Sequence, residues 1–114
     1  MPTALAAATA LETLIPVDVL DLAQDRQRYG FLTNKAGGIL DDLMLANRGD
    51  HIFMVVNAGC KRADIAYLKG NLDGVTVTEV TDRALLALQG PAAGNVLSAM
   101  DPKIAEMRFM DVAT

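Results

Sequence analysis

The sequence is poor in the residues that form covalent cross-links and zinc sites. Its 114 residues include one cysteine and one histidine. The single cysteine, Cys60, excludes an internal disulfide and indicates a reducing compartment. One cysteine and one histidine also exclude a zinc site built from these two residue types.

A basic excess and a long apolar run are absent as well. Ten Lys and Arg against fourteen Asp and Glu give a net charge of −4, whereas surfaces that bind nucleic acids or anionic membranes are basic. The apolar stretch at residues 4–15 contains Glu12 and is too short to cross a bilayer. We therefore expect no nucleic-acid partner, no membrane contact, and a location in the cytoplasm or an organelle matrix.

The remaining composition is that of a folded domain. Apolar residues make up 52% of the chain and charged residues 21%, which is enough apolar surface for a buried core. A domain of this size buries roughly 65% of its unfolded surface. The chain is thus one domain, or a piece of a larger one.

Hydrophobic periodicity predicts alternating helices and strands. The predicted helices lie at residues 3–15, 61–72 and 92–99, and the predicted strands at 29–33, 39–46, 51–57, 75–80 and 85–89. The turns between strands are tight, which favours antiparallel pairing. We predict an α+β fold, an antiparallel sheet with helices, with ferredoxin-like as the closest common type.

Two adjacent carboxylates, Asp41 and Asp42, interrupt an apolar strand. Strand alternation sends them to opposite faces, so they do not form a paired-carboxylate dyad. Among apolar neighbours, burial would raise the pKa of a carboxyl and suit it to proton transfer near neutral pH. The alternative for each aspartate, and the more common one, is exposure at a sheet edge.

The length of the following loop decides whether Asp41 lies near Asn57. A three-residue loop at 47–49, with Gly49 in the left-handed conformation, pairs Asp41 with Val55 and puts Asp41 and Asn57 on one face. A four-residue loop separates them. The Asn57 amide both donates and accepts, which suits the edge of a heterocycle, although a strand-end asparagine also satisfies turns.

Two further reactive residue types are assigned ordinary roles. Cys60 opens a predicted helix, where a thiolate is favoured. No base is recognisable nearby, so we interpret Cys60 as a structural thiol. His51 lies beside a turn and is interpreted as a surface residue, because a lone histidine needs partners to act.

Five segments, in this order and spacing, resemble a known family: RQRY (26–29), TN (33–34), GGILDDL (37–43), VNAGC (56–60) and LLALQGP (85–91). They resemble the T-protein family of the glycine cleavage system, whose members are tetrahydrofolate-dependent aminomethyltransferases. Members have three domains around a central folate cavity. The resemblance implies that residues 1–114 are a single, internal folate-binding segment of such a protein, the central part of its folate-binding domain. The alternatives are a folate module of a sarcosine or dimethylglycine dehydrogenase or of a demethylase, or a non-catalytic fragment.

The resemblance implies a reaction and a site. A lipoylated carrier, the H-protein, delivers an aminomethyl group, and the T-protein releases ammonia and passes the one-carbon unit to tetrahydrofolate. By resemblance, Asp41 is the catalytic residue beside the reactive nitrogens of the folate. Asn57 is implied to hydrogen-bond the pterin, and Val55 to line its pocket. No metal is implied.

The resemblance also sets expectations for the 114 residues by themselves. The family's other folate ligands lie outside these residues, so we expect no transfer activity and very weak or no folate binding. Surfaces that meet other domains in the family would be exposed, so we expect self-association. The location implied is the bacterial cytoplasm, or the mitochondrial matrix in a eukaryote.

Overall fold

Three consecutive strands form one antiparallel sheet in the computed structural model, which describes residues 3–114. The strands are β1 (Gln27–Thr33), β2 (Ile39–Asn47) and β3 (Ile52–Val55), in the order β1-β2-β3. The helices are α1 (Ala4–Leu11), α2 (Lys61–Asn71) and α3 (Ala93–Met100), followed by a 3₁₀ helix at Pro102–Glu106. The predicted α+β class, an antiparallel sheet with helices, is confirmed. Within residues 3–114, no helix is long and apolar enough to cross a membrane.

The turn between β1 and β2 is built by the side chain of Asn34. Its Oδ1 accepts hydrogen bonds from two backbone N–H groups of the turn, at 3.0 and 2.8 Å. Gly37 supplies the positive φ, 81°, that the turn requires. The resulting register places Leu32 opposite Asp41.

The loop between β2 and β3 differs from the predicted one. It has four residues, 48–51, and Val55 lies opposite Met44 rather than Asp41. Gly49 has the predicted positive φ, 90°. However, β2 extends one residue further than predicted and the loop is one residue longer than three. The predicted pairing of Asp41 with Val55 is therefore wrong.

Helices α1 and α2 pack on one face of the sheet. Strand alternation turns every second side chain of β2 toward them, so Leu43 and Leu45 are buried, and Asp41 shares their face. The core combines side chains from α1, the segment after it, the sheet and α2: Ala8, Leu11, Ile15, Val19, Leu32, Leu43, Leu45 and Leu68. Asp42 lies on the opposite, open face.

Two predicted strands, 75–80 and 85–89, are wrong. Both segments are irregular, because no strand within residues 3–114 pairs with them. Their apolar composition fits a half-buried sheet surface but does not supply the neighbouring strand. Leu85 and Leu86 are 75% and 90% exposed as a result. The three helices are present, although α1 ends four residues earlier than predicted.

The C-terminal tail returns to the start of β1, a contact that sequence patterns left unassigned. Arg26 and Asp111 form an isolated antiparallel bridge, and the Arg26 guanidinium donates to Asp111 Oδ1 at 2.6 Å. The backbone N–H of Gln27 donates to the Met110 carbonyl at 2.9 Å. The backbone N–H of Arg108 and the Arg26 guanidinium hold the pKa of Asp111 well below its usual range. The tail is thus fixed to the sheet by charge and by backbone hydrogen bonds.

The core predicts one large stability effect. Leu45 is fully buried, so Leu45→Ala should lower the free energy of unfolding by about 2–5 kcal/mol through lost burial and a residual cavity. Leu85→Ala is the matched control, because Leu85 is mostly exposed and its truncation should stay within about 0.5 kcal/mol. Urea unfolding of the two variants measures the difference in the free energy of unfolding. Equal decreases in this free energy would contradict the assignment of Leu45 to the core.

Candidate functional site

Three segments bring polar side chains together near the beginning of β2. Asp41 lies on β2, Asn57 follows β3, and Asp64 lies in the first turn of α2. Asn57 Nδ2 donates to Asp41 Oδ1 at 2.8 Å and to Asp42 Oδ1 at 2.7 Å. The structure therefore brings Asp41 and Asn57 together, as the hypothesis of a shared site requires.

The contact arises from the end of β3 rather than from the predicted register. If β3 continued to residue 57, the observed pairing would send Asp41 and Asn57 to opposite faces. Because β3 ends at Val55, strand alternation does not set the direction of the Asn57 side chain. Its backbone N–H lies 3.4 Å from Asp41 Oδ2, and its Nδ2 also donates to the Asp42 carbonyl at 3.0 Å.

Asp41 is buried yet ionised. Its exposed fraction is 7%, and burial alone would raise its pKa, as predicted. The hydrogen bond with Asp64 and those from Asn57 outweigh this effect and lower the pKa of Asp41 to about 2. The predicted rise in the pKa of Asp41 is therefore wrong, because hydrogen bonding to the charged form prevails.

Asp64 is the site residue that sequence reasoning missed. Its exposed fraction is 2%, and burial, with the hydrogen bond to Asp41, raises the pKa of Asp64 to about 7. Asp64 lies one helical turn before the buried Leu68 and two before Leu72, which packs against the core. The sequence therefore did contain a signal for this residue: a carboxylate at a helix position whose neighbours one and two turns later are apolar.

Asp42 joins the site from the open face. The Tyr29 hydroxyl donates to Asp42 Oδ2 at 2.7 Å, and this hydrogen bond raises the pKa of Tyr29. The rings of Tyr29 and Phe31 meet edge to face with their centroids 5.3 Å apart, and both are exposed. The open face therefore offers an aromatic surface beside a half-buried carboxylate, an arrangement suited to a planar ligand.

Val55 lines a cleft that is separate from the site at Asp41 and Asn57. It lies with Met44 and Phe53 in a cleft of about 290 Å³, whose other wall includes Met107 and Val112 of the tail. Neither Asp41 nor Asn57 lines this cleft. The structure thus brings Asp41 and Asn57 together but does not place Val55 in one cavity with them.

The remaining reactive side chains add no nucleophile. Burial, and then the charge of Asp41, raise the pKa of Cys60, so its thiol stays protonated despite its place at the start of α2. His51 is exposed and lies 2.6 Å from Asp50. Among the residues described, no group of three or more His, Cys, Asp or Glu side chains has the arrangement of a metal site.

The fold and the site define an α+β domain segment with an anionic site at one end of its sheet. The family model described as the GCVT N-terminal domain matches residues 5–114, and the chain belongs to this family. The family resemblance drawn from the five sequence segments is confirmed.

Individual relatives support this family assignment. The chain is 42% identical to the mitochondrial aminomethyltransferase of Homo sapiens and 41% identical to that of Mus musculus, each over 96 residues covering 78% of this chain and 24% of the relative. The solved structure of glycine cleavage system aminomethyltransferase T from Bartonella henselae matches with a TM-score of 0.81 and 39% identity, over 92% of this chain and 30% of that one. The chain spans about a quarter of the length of these curated relatives.

Proposed function

We propose that these residues are part of a tetrahydrofolate-dependent aminomethyltransferase of the glycine cleavage system. The protein would take an aminomethyl group from a lipoylated carrier, the H-protein, release ammonia, and give the one-carbon unit to tetrahydrofolate. The observation that carries the proposal is the Asn57 amide bound to Asp41 and Asp42 at one end of the sheet, in a chain of this family.

The charge of the site suits the proposed chemistry. Transfer of an aminomethyl carbon passes through an iminium-like cation, and fixed negative charge stabilises such a species in a site that excludes water. Asp41 is ionised and held by neighbouring donors, so its charge needs little rearrangement during the reaction.

Asn57 is proposed to bind the pterin through its amide. The Nδ2 group is directed to the two aspartates, which fixes the side chain. The amide oxygen takes part in none of these contacts and is left to accept a hydrogen bond from a ring N–H. Val55 is proposed to supply apolar contact to the same ligand, which would have to extend from Asn57 to the separate cleft that Val55 lines.

Asp42 is a second candidate for the reacting carboxylate. It is half-buried and faces the open, aromatic side of the sheet, whereas Asp41 is almost fully enclosed. A ligand that stacks on Tyr29 or Phe31 would meet Asp42 first. The two aspartates share Asn57, so each can influence the other's contact with substrate.

The test is an assay of the complete product of the gene with aminomethyl-lipoyl carrier and tetrahydrofolate. We expect release of ammonia and formation of methylenetetrahydrofolate in equal amounts, each dependent on both substrates. One-carbon transfer from sarcosine or dimethylglycine, without transfer from the lipoyl carrier, would overturn the proposal. The partner and the location, the cytoplasm of a bacterium or the matrix of a mitochondrion, follow from the same proposal.

A further inference from the structure

Asp64 is buried in a position that neither packing nor solvent contact explains. A leucine at the same place on α2 would extend the apolar stripe that continues through Leu68, yet the residue is an aspartate with an exposed fraction of 2%. Its Oδ2 is fully buried, and no group within residues 3–114 hydrogen-bonds to it. A buried carboxylate oxygen without a donor is unfavourable unless the carboxyl carries a proton.

The neighbour of this carboxyl is another carboxyl. The carboxyl groups of Asp64 and Asp41 lie close enough to share a hydrogen bond. If both were ionised, their negative charges would repel each other. Asp41 receives N–H groups from Asn57, whereas Asp64 Oδ2 receives none. The donors therefore favour the charge on Asp41 and leave the proton on Asp64.

We propose that Asp64 is a positioning residue: its protonated, buried carboxyl donates a hydrogen bond to Asp41 and holds that carboxylate in the orientation in which Asn57 contacts it. The inference rests on the proposed function of Asp41 as a reacting group. Asp64 touches no substrate in this role. It sets the charge and direction of the group that does.

The site would respond to pH through this pair. The pKa of Asp64 is about 7, so above neutral pH the pair acquires a second negative charge and the hydrogen bond to Asp41 is lost. The titratable groups around Asp64 are Asp41 on β2 and the Cys60 thiol before α2. Since the folded pKa of Asp64 lies above its ordinary value of 3.8, its contribution to stability is complete below that value and is lost as pH rises through about 7.

The experiment compares three variants of the complete gene product. Asp64→Ala removes the donor, Asp64→Asn keeps one in the form of an amide, and Leu68→Ala truncates a buried neighbour on the same helix without touching the carboxyl. The direct readout is the titration of the Asp41 side chain, followed by NMR of ¹³C-labelled aspartate and assigned through Asp41→Asn. The second readout is turnover as a function of pH.

We expect the pKa of Asp41 to rise in Asp64→Ala, and to stay low in Asp64→Asn and Leu68→Ala. Turnover should fall about 10- to 100-fold in Asp64→Ala, because a misplaced reacting group is costly, and Asp64→Asn should restore it. The turnover of the unsubstituted protein should decline above pH 7, and that of Asp64→Asn should not. An unchanged Asp41 titration in Asp64→Ala, or an equal rise in Leu68→Ala, would overturn the positioning role. If the titrations behave as expected but Asp41→Asn leaves turnover intact, the proposed function of Asp41 fails instead.

Discussion

Asp41→Asn is expected to lower turnover of the complete gene product by about 100-fold or more, the usual scale for the loss of a group that stabilises charge in the transition state. The substitution removes the negative charge but keeps the size of the side chain. Its remaining oxygen still accepts the hydrogen bond that Asn57 Nδ2 donates at 2.8 Å. We therefore expect a folded protein with a weakened reaction step. Turnover is measured beside thermal unfolding, so that a loss of fold is recognised separately.

The same substitution at the neighbouring position is the matched control. Asp42 binds the same amide and also accepts from the Tyr29 hydroxyl, and Asp42→Asn removes one charge at nearly the same place. We expect a decrease here too, since both carboxylates fix Asn57, but a smaller one than at Asp41. A large loss in Asp42→Asn with normal turnover in Asp41→Asn would refute the role proposed for Asp41 and transfer it to Asp42.

The 114-residue chain by itself is expected to self-associate and to bind tetrahydrofolate with a dissociation constant well above about 1 mM. Large apolar side chains are exposed in the segment 85–109, including Leu86 at 90%, Met100 at 80% and Phe109 at 85%. Large apolar side chains exposed in such number favour association. Most of the enclosure that a folate-sized ligand requires is also absent, because the cleft at Val55 and the Asp41 site are separate.

Light scattering over a range of chain concentrations, and calorimetry with tetrahydrofolate, check these two expectations. Leu86→Lys together with Met100→Lys should shift the chain toward a monomer. Leu5→Lys, on α1 and likewise exposed, is the control outside that segment and should leave association unchanged. A clean monomer at high concentration would contradict the first expectation, and micromolar folate binding would contradict the second.

Local sequence patterns predicted the local parts of the fold. The helices and the strands β1 to β3 follow from periodicities that each segment carries within itself. The segments 75–80 and 85–89 carry the composition of strands as well, but a strand also needs a neighbour, and none of residues 3–114 provides one. The loop after β2 differs from its predicted length for a related reason: the positive φ of Gly49 follows from local sequence, but the residue at which β2 ends depends on its pairing with β3.

The candidate site was predictable only in part. The resemblance indicated Asp41 and Asn57 as candidates, and the structure joins them through a turn that strand alternation does not govern. The direction of the pKa shift at Asp41 was not accessible, because it depends on a donor from another element. That donor, Asp64, lies 23 positions later in the numbering, and its burial is visible only when its place on the helix is compared with that of Leu68.

The bridge between Arg26 and Asp111 has a consequence for the order of folding. The two residues are 85 positions apart, whereas β1, β2 and β3 are joined by short turns, and contacts between distant residues form later than local ones. During synthesis the sheet would therefore be complete, with its open face uncovered, while the tail was still emerging. Val55 would remain accessible until residues 107–113 reached β1, so the cleft beside it would close later than the pairing of β1, β2 and β3.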